Sequence, residues 1–223
     1  MIWLVPALSA AAFLGVAWIA RPLVERLVFS STVAQWDTMV LEWFRAQSTP
    51  QLDRFFYAFT LLGTPTAMIF YALGGVSFLM KRRQWSLIYC WDTVFIGTVA
   101  LTISLKNMFH RGRPSGAERF LTSASFGFPS THAVSAVACF GAIAYVLTKV
   151  AYTERDQRAI VIIVATLFIL LMGISRLYLG VHYLSDVVTG FVVGGAWLAV
   201  CLWSLKRFGQ QLATVNTTQS KPK

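Results

Sequence analysis

The chain has 223 residues, 57% of them hydrophobic and 13% charged, with a mean hydropathy of +0.63. A soluble domain is nearer half apolar and a quarter charged, so the composition points to a membrane protein with no separate soluble domain. The formal net charge of +10 suits an anionic partner, but no basic tract stands outside the turns between apolar runs, which argues against nucleic acid.

Stretches of about 17–25 apolar residues are long enough to cross a bilayer as helices. Six are present, at 2–20, 55–80, 84–105, 132–150, 158–175 and 183–205. The first carries Ala10-Ala11-Ala12 but lacks the basic n-region of a signal peptide, and is read as a retained helix. Between the first two spans, Val33, Trp36, Val40, Trp43 and Phe44 recur at helical spacing, with Asp37, Glu42 and Arg45 on other faces. That predicts an amphipathic helix over 31–47, opened by Ser31 or Thr32 as N-cap. It either lies flat in the interface with its tryptophans at headgroup level or packs on the bundle. Cys90, Cys139 and Cys201 are odd in number, widely spaced and inside apolar runs, and read as small packing residues. The expected architecture is all-α: a six-transmembrane-helix bundle with an interfacial amphipathic helix. It forms one membrane domain, 1–210, followed by a polar, unstructured tail, 211–223.

Six spans put both termini on one side. One set of turns carries Lys81-Arg82-Arg83, Lys149 with Arg155 and Arg158, Lys206-Arg207, and the tail lysines Lys221 and Lys223. On the other side, Arg21, Arg26, Arg45 and Arg54 are matched by Glu25, Asp37, Glu42 and Asp53. The positive-inside rule makes the first set cytoplasmic. The expected location is the bacterial inner membrane, with cytoplasmic termini and the functional groups on the periplasmic face.

Those groups come from three separated segments. Lys106 ends the third span, and Arg113-Pro114 follows in a polar loop. Pro129 breaks the chain, and Ser130-Thr131-His132 opens the fourth span, where the free N–H groups of a helix start favour an anion. Ser175-Arg176 ends the fifth span, and His182 and Asp186 fall in the first turns of the sixth. Residues four apart on a helix share a face. A carboxylate on one imidazole nitrogen fixes the tautomer and leaves the other nitrogen as nucleophile or base. Lys106, Arg113 and Arg176 would repel one another unless an anion such as a phosphate monoester lay between them, and arginine forks match phosphoryl oxygens. A lone helix-end cation is most often a snorkelling residue; the conjunction of three segments at one membrane face is not explained that way.

These segments resemble the three motifs of the type 2 phosphatidic-acid phosphatase superfamily, which includes bacterial lipid phosphatases, glucose-6-phosphatase and the vanadium haloperoxidases. Lys106, Arg113 and Pro114 match its Lys, six residues, Arg-Pro; Pro129, Ser130 and His132 match its Pro-Ser-Gly-His. Ser175, Arg176, His182 and Asp186 match its Ser-Arg, five residues, His, three residues, Asp. Thr131 stands where the family usually has glycine, and would be costly if the backbone there needs a positive φ. The resemblance implies that His182 attacks phosphorus to form a phosphohistidine and that Asp186 orients it. It implies that His132 protonates the leaving oxygen and then activates water. Lys106, Arg113, Ser130, Thr131 and Arg176 would bind the phosphate, with no metal and no cofactor. The implied partners are a lipid phosphate substrate and membrane lipids.

The expected function is a metal-independent lipid phosphatase. Undecaprenyl pyrophosphate is the favoured substrate, with phosphatidylglycerophosphate and phosphatidic acid alongside. A phosphatase for lipid A or another saccharide phosphate is the alternative within the enzyme class, and a non-catalytic anion-binding transporter the alternative outside it. His110 and Arg111 match no fixed position of the first motif and read as solvated loop residues. Asp92, about 20 Å along the helix from Lys106 at 1.5 Å per residue, reads as structural. Glu118 and Arg119 are candidates for headgroup selection.

Overall fold

The computed structural model describes residues 4–120, 125–152 and 154–219, without the side chains of residues 4–7, 118 and 208–219. Tail residues Lys221 and Lys223, and the Glu118 side chain, lie outside the described residues. The helices are α1 (Leu4–Val28), α2 (Ser31–Ala46), α3 (Pro50–Thr60), α4 (Pro65–Lys81), α5 (Trp85–Phe109), α6 (Thr131–Ser135), α7 (Gly141–Val150), α8 (Arg155–Tyr178) and α9 (Leu184–Gln219). Five unbroken spans are long and apolar enough to cross a membrane, and the bent pair α3–α4 makes a sixth.

The expected second span, 55–80, is in fact this broken pair, bent by 47° around a 3-10 turn at Leu61–Gly63. Two Thr-Pro pairs explain it. Thr49 and Thr64 each cap a helix through the side-chain oxygen, and Pro50 and Pro65 each take the first helical turn, where a missing N–H costs nothing. The fourth span is continuous over Thr131–Val150, but a wider π turn at Ala136–Phe140 separates α6 from α7.

Lipid-facing positions carry large apolar side chains, among them Ile96, Ile163, Leu167 and Val192, all exposed on the bundle surface. Inside, close helix contacts are made where glycine removes the Cβ. A Cβ on Gly97 would lie 2.1 Å from the Trp197 ring, and one on Gly75 2.1 Å from Trp91. The two indole N–H groups are satisfied by the carbonyls of Val94 and Ala72. Around them Leu79, Val94, Leu101, Ala138 and Val146 form the main core. Cys139 and Cys201 are buried and Cys90 is half-buried, all as free thiols, in keeping with packing roles.

Nearer the start of α9, Gly190 and Gly194 face α6: added Cβ atoms would meet Ala133 Cβ at 2.7 Å and the Val134 carbonyl at 2.5 Å. Small residues one turn apart let two helix backbones approach in a bilayer. Here they draw together the segments that open the fourth and sixth spans.

Helix α2 is amphipathic as expected, with two corrections. Its N-cap is Ser30, whose Oγ accepts from Val33 N, rather than Ser31 or Thr32. Asp37 is not on an outer face: it is 2% exposed and continues a stripe of buried Leu41 with half-buried Val33, Val40 and Phe44. The helix packs on α8 and α9 through that stripe, while Trp36, Met39 and Trp43 remain exposed.

Candidate active site

The first segment begins inside α5. Lys106 lies one turn before the helix end instead of closing it, and its buried Nζ donates to the Phe126 carbonyl. His110 closes the helix with φ +48°, in the left-handed region, and its N–H returns to the Lys106 carbonyl at 3.1 Å. This reversal sends the following loop back across the bundle end. Arg113 is then held on three sides. Its Nε donates to Ser125 O at 2.8 Å, Nη2 to Ser125 Oγ at 2.9 Å and Nη1 to Val181 O at 3.0 Å.

The second segment opens α6. Ser130 is fully buried, its Oγ caps the helix at Ala133 N, and its own N–H donates to the Asp186 carbonyl at 3.1 Å. That bond ties the second segment to the third. Thr131 takes the first helical position, and among the described non-glycine residues only Arg83 and His110 have positive φ. Threonine is therefore unstrained here, and the concern raised by the missing glycine does not apply to the backbone. His132 packs over the bend of the second span, where a Cβ on Gly63 would lie 2.8 Å from its Cδ2. Its Nε2 is buried without a partner.

The third segment spans the α8–α9 turn. Arg176 is 4% exposed, and its Nη1 donates to Thr60 Oγ1 at 2.5 Å. His182 stands in this turn, two residues before α9 begins, so it is not in the first helical turn as the sequence suggested. Asp186 nevertheless reaches back. Its Oδ2 accepts from Tyr183 N at 2.9 Å, a helix-start contact from an acidic side chain, and lies 3.5 Å from His182 Nδ1. That is a close approach without hydrogen-bond geometry, since Nδ1 has no formed hydrogen bond. On the other side of the ring, Nε2 is 3.0 Å from Arg113 Nη1.

A guanidinium only donates, so Nε2 carries the lone pair and Nδ1 the proton, facing Asp186. Burial, reinforced by Arg176, Arg113 and Lys106, holds His182 well below the ordinary imidazole range, and the ring is neutral. Burial also lowers Arg113 from the usual guanidinium range. All three segments thus converge. Lys106, Arg113 and Arg176 supply cations, Ser130 a hydroxyl, and His182 a neutral imidazole whose Nε2 faces Arg113. An open groove of about 650 Å³ runs beside Lys106 and Arg113, lined also by Ile103, Asn107, Gly112, Ser125 and Phe126. Among the described residues, no three His, Cys, Asp or Glu side chains converge as a metal donor set.

Sequence reasoning missed four contributors. Arg111 is not a solvated loop residue: it forms ion pairs with Asp186 at 2.6 Å and Asp37 at 2.7 Å, its side chain only 16% exposed. Ser185 bonds to Arg111 and Asp37, and Thr60 holds Arg176. One signal was available, since Asp37 interrupts an apolar stripe at helical spacing and a carboxylate there needs a partner. Asp92 lies well away, in the other half of α5, and Arg119 lines a separate outer cavity of about 460 Å³ with Arg45 and Asp53.

The PAP2 superfamily model matches residues 87–210, a region holding all three segments. Phosphatidylglycerophosphatase B of Bacillus subtilis (strain 168) is 32% identical over 146 residues, 65% of this chain and 71% of that protein. Lipid A 4'-phosphatase of Bacteroides thetaiotaomicron is 28% identical over 182 residues, 73% of this chain and 74% of that protein. The crystal structure of a transmembrane PAP2-type phosphatidylglycerolphosphate phosphatase from Bacillus subtilis superimposes with a TM-score of 0.67 at 26% identity, covering 92% of this chain and 96% of that one. With its helical membrane fold and three converging segments, the chain belongs to the PAP2 superfamily, among the membrane lipid phosphatases.

Proposed function

We propose that the chain hydrolyses a phosphate mono- or diphosphoester of a membrane lipid through a phosphohistidine. The observation that carries this is the buried His182, with Arg113 3.0 Å from Nε2 and Asp186 3.5 Å from Nδ1. In the first step Nε2 attacks phosphorus and forms an N–P bond. The P–O bond to the lipid, or to its inner phosphate, breaks, and His132 gives that oxygen a proton. In the second step His132 takes a proton from water, whose oxygen attacks phosphorus and releases inorganic phosphate and free His182. Asp186 faces the positive charge that grows on the ring. Lys106, Arg113, Arg176, Ser130 and the N–H groups opening α6, Thr131 included, hold the equatorial oxygens as charge redistributes.

Phosphatidylglycerophosphate and undecaprenyl pyrophosphate are the first substrates to compare. Likeness to the Bacillus phosphatidylglycerophosphatase favours the former. A saccharide phosphate is the second reading, favoured by likeness to a lipid A 4'-phosphatase. The proposed location is the bacterial inner membrane with the site on the periplasmic face. Supporting it, Lys81, Lys149, Arg155 and Arg207 fall at helix ends opposite to those that carry the site.

The test is phosphate release by detergent-purified protein with EDTA present, across phosphatidylglycerophosphate, undecaprenyl pyrophosphate, phosphatidic acid and a lipid A phosphate. His182→Ala is expected to lower the rate by roughly 10⁴-fold or more. Full activity in that variant would sink the phosphohistidine, and silence on every lipid would favour an anion-binding role.

A further inference from the structure

Asp186 has two carboxylate oxygens, and only one of them faces His182. Oδ2 accepts from Tyr183 N and lies near His182 Nδ1. Oδ1 accepts from Arg111 Nη1 at 2.6 Å. The same guanidinium donates from Nη1 to Ser185 Oγ at 2.7 Å and from Nη2 to Asp37 Oδ2 at 2.7 Å. Asp37 closes the circuit: Oδ1 accepts from Ser185 N at 2.8 Å and Oδ2 from Ser185 Oγ at 2.6 Å. The guanidinium is also sandwiched between aromatic faces, 4.9 Å from the Phe29 ring centre and 4.7 Å from that of Tyr183.

Two buried carboxylates facing each other across one serine would repel strongly without a cation between them. Arg111 is that cation, and its planar fork reaches both at once, which a lysine ammonium on a single axis does not do. The contacts of Arg111 go to Asp186, Asp37, Ser185 and the two rings. None goes to Lys106, Arg113, Arg176 or His132.

We infer that Arg111 and Asp37 are positioning residues for the reaction. Arg111 holds Asp186 in the rotamer that faces His182, and Asp37 holds Arg111. Helix α2, which carries none of the three motif segments, is thereby part of the catalytic apparatus. The inference rests on the reading of His182 as nucleophile, and the experiment separates the two.

The measurement is kcat and KM for a lipid phosphate, the inhibition constant of inorganic phosphate, and the thermal midpoint. It uses full-length detergent-purified protein and the variants Arg111→Lys, Arg111→Gln, Asp37→Asn, Arg111→Gln with Asp37→Asn, and His182→Ala. Arg111→Lys is expected to lower kcat about 10–100-fold, with KM and phosphate inhibition unchanged. Asp37→Asn, near-isosteric and still able to accept from Ser185 N, is expected to lower kcat about tenfold. The double variant should be no slower than Arg111→Gln alone, because each removes the same restraint.

A wild-type kcat in Arg111→Lys would overturn the inference. So would a loss carried by KM or by weaker phosphate inhibition, which would make Arg111 a substrate ligand. Strictly multiplicative losses, or losses that track a falling thermal midpoint, would also overturn it. Activity surviving in His182→Ala would overturn the phosphohistidine itself, whatever the Arg111 variants show.

Discussion

The two halves of the bundle solve opposite problems with the same helices. Toward one end of α5 and α9, Trp91 and Trp197 fill notches left by Gly75 and Gly97, and each indole N–H finds a carbonyl. Toward the other end, the same two helices deliver Lys106 and Asp186. There His132 Nε2, Arg176 Nε and His182 Nδ1 are buried without a formed hydrogen bond. Unpaired buried polar atoms cost stability; three of the five among the described residues belong to the converging segments, and Ser135 and Ser204 hold the other two. The glycine-and-tryptophan half stabilises the bundle; the polar half spends part of that stability on a prearranged site.

The apolar half depends most on Trp197. Trp197→Ala should destabilise by about 3–5 kcal/mol, the usual cost of deleting a buried large aromatic side chain. Thermal unfolding in detergent would show it, while the surviving folded fraction keeps its kcat. A stable but inactive protein would mean that the two halves are not separable.

Lys106→Met probes the polar half. If Lys106 holds a phosphoryl oxygen as proposed, its loss should lower kcat/KM by roughly 10²–10³-fold, as for other groups that stabilise transition-state charge. The sign of the pH effect follows from His182. Burial, Arg176, Arg113 and Lys106 all lower its pKa, and attack needs the neutral ring. Removing Lys106 raises that pKa toward the ordinary value, so the acid limb of kcat/KM against pH moves to higher pH. A limb that stays in place would remove His182 as the group titrating in the free enzyme.

Thr131→Gly should change least. Threonine sits at the first helical position without a positive φ. Glycine there should cost at most about 1 kcal/mol of stability and leave the rate near wild type. A large gain in rate would show that threonine crowds the phosphate, which sharpens the site half of the comparison.

Much of the site was legible because its residues are linked locally. A helix end followed by Arg-Pro, a proline before a capping serine, and a His four residues from an Asp are short-range patterns, and each keeps its meaning within a turn or two. What escaped was paired over long separations. Arg111 meets Asp37 across 74 positions and Asp186 across 75, and Arg176 meets Thr60 across 116. In sequence Arg111 looked like one more loop cation, and Asp37 like the polar face of an interfacial helix. The docking of α2 on α8 and α9 makes one carboxylate the partner of the other's arginine.

The bend of the second span shows the same division. Thr64-Pro65 is a visible helix start, but nothing in it says that the turn before it brings Thr60 to Arg176 and Gly63 to His132. By itself the sequence determined five unbroken apolar spans, the three motif segments and their position at one end of the bundle, because hydrophobic run length and motif spacing act within single helices. Only the tertiary structure decided that Arg113 meets His182 Nε2 and that Arg111 holds Asp186, because both depend on segments far apart in the chain being brought together by helix packing.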